Sequence, residues 1–195
     1  MMEAEAVIEA FRAPDRIWAR AELLARPSPV PATKGLYGWY FDESPDARLG
    51  SPGTTSDGWS LLYVGIAPAR AGSSSNLRKR IRHHVSGNAR GSTLRLTLGS
   101  FLAERLGLIT VPASGKLHFG SGEAALNAWL DAHARVAWVE HSEPWTVEGE
   151  VVRALDLPLN RAHNFAHPAY PIVGAARAAL RSRALSTSGA EPPMR

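Results

Sequence analysis

The chain has 195 residues, 45% of them hydrophobic, with six tryptophans, which is enough for one domain with a real core plus arms and too apolar for a disordered chain. The absence of cysteine excludes disulfides and thiolate metal sites, no run approaches the ~18 apolar residues of a membrane span, and the acidic opening MMEAEAVIEAF lacks the regions of a secretory signal; a soluble cytoplasmic protein with no membrane partner is expected. The net charge of +4 is unevenly placed: Gly58 to Ala103 holds no Asp or Glu but contains Arg70, Arg78, Lys79, Arg80, Arg82, Arg90 and Arg95, which points to an anionic partner, nucleic acid foremost, or to a solvated basic face balanced elsewhere in the fold.

Ala4 to Arg12 and Asp15 to Arg26 read as two helices broken around Pro14, with Asp15 as a cap for the second. Pro27, Pro29 and Pro31 form an extended linker. The aromatic run Gly35–Phe41 predicts a first strand, and Asp42 to Gly58 a long loop that is either functional or mobile. Leu61 to Gly65 predicts a second strand, followed by a Gly/Ser-rich loop. Ser75 or Asn76 caps a helix running to about Val85, with Gly87 beyond its end.

Projecting that helix at 100° per residue puts Leu77, Ile81 and Val85 on its apolar arc. Arg80 and His84 lie on the edge of that arc, one turn apart, while Lys79, Arg82 and His83 face away. A guanidinium turned inward requires a carboxylate or a ligand phosphate. Further on, Ser92 to Leu106 predicts a helix, Leu108 to Phe119 a hairpin, Glu123 to Ala134 a helix and Arg135 to Val139 a third strand. Ser142 to about Asp156 reads as a helix with Pro144 near its start. Trp145, Val151, Val152 and Leu155 form its apolar arc, with Glu148 in the middle. A carboxylate there is costly unless paired or bound to metal. Gly149, unfavourable inside a helix, signals a close approach by neighbouring backbone. His163 and His167 have i, i+4 spacing, but Pro168 follows and no helix is evident to make them a metal pair. The tail has a Pro-broken stretch, an Ala-rich basic segment from Gly174 to Leu185 and a frayed polar terminus.

Taken together, Gly35-Leu36-Tyr37, Tyr63-Val64-Gly65, the helix motif Asn76-Leu77-x-x-Arg80-Ile81-x-x-His84, Glu148 and Asn160 resemble, in order, the signatures of the GIY-YIG nuclease superfamily. The resemblance covers roughly Lys34 to Asn160. It implies an α+β fold with a small three-stranded antiparallel sheet flanked by helices. The corresponding division is an N-terminal helical extension (1–32), a catalytic domain (33–165) and a C-terminal basic tail (166–195). The chain departs from the family in having Leu36 and Val64 inside the two signatures, in the separation of Tyr63 from Tyr37 by 26 positions (63 − 37), and in the extra loop from Ile66 to Ser75.

The resemblance further implies phosphodiester hydrolysis with one divalent ion, Mg²⁺ or Mn²⁺, held by Glu148. Arg80 binds the scissile phosphate and Tyr37 deprotonates or orients the attacking water, its pKa lowered by nearby positive charge. Tyr63 and His84 complete the network, Gly35 and Gly65 support it, and Asn160 holds the glutamate helix or a neighbouring loop. Lys34, Arg78, Lys79, Arg82 and Arg90 are expected contacts to nucleic acid, DNA ahead of RNA. Packing alone offers other readings: Tyr63 as core, Arg80 with Glu148 as a plain ion pair, Asn160 as a turn residue after Pro158. A nucleic-acid-binding module that does not cut is the alternative to an endonuclease.

Overall fold

A computed structural model describes residues 3–50 and 57–188. Val7, Ile8 and Phe11 form one buried stripe along α1 (Ala4–Arg12), the spacing of a helix lying on a core. Where the periodicity predicts a second helix from Asp15, the chain runs extended through β1 (Trp18–Ala19) and closes only briefly as α2 (Arg20–Leu24). Tertiary pairing overrides the local helical tendency: Trp18 pairs with Val136 and stacks on Trp138, with ring centroids 5.4 Å apart. The aromatic run becomes β2 (Gly35–Phe41), and β3 (Ser60–Ala67) follows. Asn76 caps α3 (Leu77–Ser86) by accepting the Lys79 amide at 2.9 Å, and Ser92 caps α4 (Thr93–Leu102) in the same way. The predicted hairpin forms as β4 (Val111–Ala113) and β5 (Lys116–His118), ahead of α5 (Glu123–His133) and β6 (Ala134–Glu140).

The helix predicted over Ser142–Asp156 is divided. A 3-10 turn at Pro144–Thr146 precedes α6 (Glu148–Ala154), and Val147 joins them at φ −110°. Glu148 therefore stands at the first residue of a short helix, half-buried, rather than at the centre of a long buried face. The C-terminal segment also differs from its reading as a Pro-broken tail. Pro171 falls in the first turn of α7 (Ala169–Ser188), where its missing N–H breaks no helical bond. Val173, Leu180 and Ala184 are buried, and α7 packs on α4. The polar terminus from 189 onward, and residues 51–56 of the long loop after β2, lie outside the described residues. The near side of that loop is ordered by Asp46, which caps the turn Ala47–Leu49, and by the burial of Leu49.

The main sheet is antiparallel in the order β1-β6-β2-β3. The three expected strands are thus β6, β2 and β3, and the two-residue β1 adds a fourth at one edge. Every residue of the central β2 is buried, because helices cover both faces of the sheet. Tyr37, Trp39 and Phe41 face the core shared with α3, α4, α5 and α7. Leu36 and Tyr40 face a second core shared with α1 and α6. The register slips once: Tyr63 pairs with Trp39 and Leu61 with Tyr40, leaving Leu62 as the extra residue of a β-bulge. Tyr63 stands opposite Trp39, ahead of the slip, and so lies on the same face of the sheet as Tyr37.

Arg95 corrects the simple reading of the basic segment. It is fully buried, ion-paired to Glu123 at 2.5 Å, and bonded to Asn127 and to the His84 carbonyl. It is a structural cation binding α4 and α5 to the end of α3. Among the described residues no helix is long and apolar enough to cross a membrane. Because Leu180 packs α7 into the principal core, Leu180→Ala should remove about 2–5 kcal/mol of unfolding free energy in urea denaturation. A loss within the ~0.5 kcal/mol typical of surface substitutions would show that α7 does not carry the fold.

Candidate active site

Tyr37 leaves the central strand toward α3 and crosses over its partner Gly65 on β3. A Cβ at Gly65 would lie 2.4 Å from the Tyr37 hydroxyl, so any side chain there would displace the ring. The Tyr37 hydroxyl meets His84 Nε2 at 2.9 Å and accepts the Arg80 Nε–H at 3.3 Å. Arg80 and His84 project to the same side because they are one turn apart on α3. The other ring nitrogen, His84 Nδ1, lies 2.6 Å from Ser92 Oγ, which also accepts the Arg95 amide at 3.1 Å. Ser92 therefore caps α4 and fixes the imidazole with one atom.

On the same face of the sheet, opposite Trp39, Tyr63 lies with its ring centroid 6.5 Å from that of Tyr37. Its hydroxyl neighbours Thr93, and both Arg80 and Glu148 are close enough to act on it electrostatically. Glu148 borders a cavity of about 210 Å³ together with Tyr63, Thr93 and Thr97. Its carboxylate has no Arg or Lys ion pair among the described residues; the nearest opposite group is His163 Nε2, 3.8 Å away. The plain Arg80–Glu148 ion pair is thus not formed. Of the two spaced histidines, His163 reaches Glu148 while His167 bonds Asp156 at 2.6 Å, so they do not converge. Gly149 makes room for side chains rather than backbone: a Cβ there would stand 3.2 Å from an Arg153 guanidinium nitrogen and 3.4 Å from His163 Nδ1.

Burial sets the electrostatics. It pushes the Tyr37 hydroxyl pKa well up, with Tyr63 adding to the effect and Arg80 only partly opposing it. The lowering by positive charge expected for this tyrosine is therefore outweighed by desolvation. Burial likewise raises Tyr63 and raises Glu148, the latter against His163. His84 is held well below its ordinary value, first by burial and then by Arg80, His83 and Arg95. In the free protein the Tyr37–His84 pair is neutral on both sides.

Asn160 holds a strand rather than the glutamate helix. Its Nδ2 donates to the Val64 carbonyl at 2.8 Å and its Oδ1 accepts the Val64 amide at 2.9 Å. The Leu159 amide bonds the Leu62 carbonyl at 3.1 Å, so this segment closes the outer edge of β3. Gly35 lies where a Cβ would collide with the Val139 carbonyl at 2.2 Å, which sets β2 tightly against β6. The outer basic residues are distributed differently. Arg78 donates its Nε–H to the Val30 carbonyl and Lys79 its ammonium to the Ser74 carbonyl. Lys34 lies over the Trp145 ring at 5.4 Å, and Arg82 and Arg90 are exposed. Four neighbours of the site were not anticipated: Ser92, Thr93, Arg161 and Arg177. Ser92 reads in the sequence as the first residue of a helix, whereas it is the cap of that helix and the partner of a histidine eight positions earlier; the two arginines carry no pattern at all.

A family model described as the GIY-YIG catalytic domain matches residues 35–179, from the first glycine of β2 into α7. No curated protein and no solved structure matches the chain.

The buried neutral His84 has a definite pH signature. Its folded pKa is depressed, so as pH falls below the ordinary histidine value of about 6.5 the unfolded chain takes up the proton first, and stability declines toward the folded pKa. Melting temperature should fall more steeply on acidification from about pH 7.5 to about pH 5 in the wild type than in His84→Gln. Parallel profiles would place the imidazole in a solvated site.

Proposed function

This chain belongs to the GIY-YIG catalytic-domain family, a nuclease-type family, and we propose that it is a metal-dependent endonuclease hydrolysing phosphodiester bonds in nucleic acid, DNA ahead of RNA. The observation that carries the proposal is the convergence of Tyr37, Arg80 and His84 on one hydroxyl, with Tyr63 linking that cluster to the Glu148 carboxylate.

The donor chemistry fits a hard divalent cation. Glu148 presents a half-buried carboxylate whose pKa burial raises and which, among the described residues, no arginine or lysine neutralises. Among the described residues no group of three His, Cys, Asp or Glu assembles. Glu148 would hold Mg²⁺ or Mn²⁺ as the single protein carboxylate, an arrangement suited to an ion that keeps most of its waters. Such an ion supplies charge neutralisation at the phosphate and at the leaving 3′-oxygen.

The chain's own residues do the rest. The Arg80 Nε–H donates to Tyr37, and the remaining fork of its guanidinium grips the scissile phosphate. Tyr37 keeps its proton in the free protein, because burial opposes the phenolate. It orients the attacking water and takes the water's proton only as its own passes to His84 Nε2, so no free phenolate forms. That transfer requires the tautomer in which His84 Nδ1–H donates to Ser92 Oγ. An anionic phosphate on Arg80 offsets the positive charge that otherwise holds His84 neutral. Tyr63 positions the phosphate between Arg80 and Glu148.

Supercoiled plasmid and single-stranded RNA, incubated with Mg²⁺, Mn²⁺ or EDTA, test the reading. Metal-dependent nicking is expected, abolished in Glu148→Ala while binding is retained; salt-sensitive binding without cleavage under any metal would assign the chain to a binder on the same fold. Tyr37→Phe should lower kcat by about 10²–10⁴-fold, as loss of a general base does, with little effect on KM. Unchanged kcat would remove Tyr37 from the proton path.

A further inference from the structure

The cavity beside Glu148 has a second wall that the reaction just described does not use. Arg161 follows Asn160 directly, and Arg177 comes from α7; both line the cavity together with Glu148, Tyr63, Thr93 and Thr97. Both guanidinium-bearing residues are half-buried. Neither has an ion pair with a carboxylate among the described residues, in contrast to the buried Arg95, which is matched by Glu123. Arg161 lies over the Tyr170 ring at 4.5 Å, and its guanidinium nitrogens lie 3.7 Å from the Cβ position of Gly174. Tyr170, Gly174, Arg177 and Arg181 are spaced i, i+4, i+7 and i+11, one stripe of α7. Arg161 adds a third like charge to the two on that stripe, and burial first, then Arg161 and Arg181, make it harder for Arg177 to stay protonated.

Holding partly desolvated cations together without a counter-charge costs folding free energy. The cost is recovered when an anion enters, and a planar fork on a cavity wall suits a phosphate. Accordingly, we infer that Arg161 and Arg177 form a subsite for a non-scissile backbone phosphate of the same nucleic-acid strand whose scissile phosphate lies on Arg80. The inference rests on the nuclease reading for the position of that strand. It makes α7 part of the substrate surface: the helix that completes the core also supplies the grip on the neighbouring nucleotide. Arg181, exposed and farther along the stripe, extends the same positive track.

Binding of a fluorescein-labelled DNA duplex and of a labelled single strand, measured by anisotropy in EDTA across a range of KCl, decides the matter. Each of Arg161→Gln and Arg177→Gln should weaken binding and reduce the slope of log affinity on log salt by about 0.9 for duplex and about 0.7 for single strand, the value of one lost phosphate contact. Arg177→Lys should restore the slope, and Arg12→Gln on α1 should leave it unchanged. Melting temperatures of the two glutamine variants should equal or exceed that of the wild type, since an unpaired half-buried charge is removed. Unchanged slopes in both variants, with wild-type binding intact, overturn the subsite even if the protein cuts. Lowered melting temperatures with unchanged slopes assign the arginines to packing and also overturn it. Arginine-dependent slopes in a protein that never cuts keep the subsite and defeat the nuclease reading. No binding of either probe by the wild type overturns the subsite outright.

Discussion

Two hydrogen bonds between the Asn160 side chain and the Val64 backbone join parts of the chain 96 residues apart, and the geometry of the site depends on them. β3 is an outer strand, and without Asn160 its Val64 amide and carbonyl would be buried with no partner, each at a cost of about 1–3 kcal/mol. The clamp fixes the strand that carries Tyr63 and Gly65. In the same stroke it fixes where the chain goes after α6, and so the place of Arg161 beside Glu148. Asn164 reinforces it from behind, donating to the Leu157 and Asn160 carbonyls. The cavity wall thus joins a strand edge whose Val64 groups are paired to two arginines that meet no carboxylate among the described residues.

The cations of this protein divide by what neutralises them. Arg95 is matched by Glu123, Arg20 by Asp131 and Arg105 by Glu43, and these pairs hold elements together. Arg78 and Lys79, on the outer side of α3, are drawn onto backbone carbonyls. Four half-buried arginines meet no carboxylate among the described residues: Arg135 is drawn onto the Asp131 and Ala134 carbonyls and lies over the Trp59 ring, while Arg80, Arg161 and Arg177 border the same region. A net charge of +4 conveys none of this; position relative to carboxylates does.

How much could be read in advance follows from which interactions are local. Arg80 and His84 were legible because a helix projects its residues by a fixed angle, and α3 is helical where its Asn76 cap and Leu77–Ile81–Val85 stripe put it. Glu148 was legible as an inward carboxylate, although the helix it was placed in turned out to break at Val147. The Trp18 strand was not legible, since its partner Val136 lies far along the chain and its own surroundings favour a helix. The same holds for Asn160, whose neighbour Pro158 suggests a turn while its partner is a strand nearly a hundred positions earlier. Ser92 was legible only as the start of a helix, neither as its cap nor as a histidine's partner. The high pKa of Tyr37 could not be read from its cationic neighbours, because burial by a complete core decides it.

The extra residue at Leu62 has a consequence for how this sequence tolerates change. Along a strand the face alternates with every residue, so the bulge acts as a shift of parity between the start of β3 and its end. Removing Leu61 or Leu62 would leave composition, charge and signature tripeptides untouched. The ladder would then close without a slip, with Tyr63 still opposite Trp39 and Ser60 still opposite Phe41. The cost of such a deletion is therefore one of packing: Leu62 fills the core on the Tyr37 face and Leu61 the core on the other, and Leu62 and Tyr63, although neighbours, share one face because the extra residue is there.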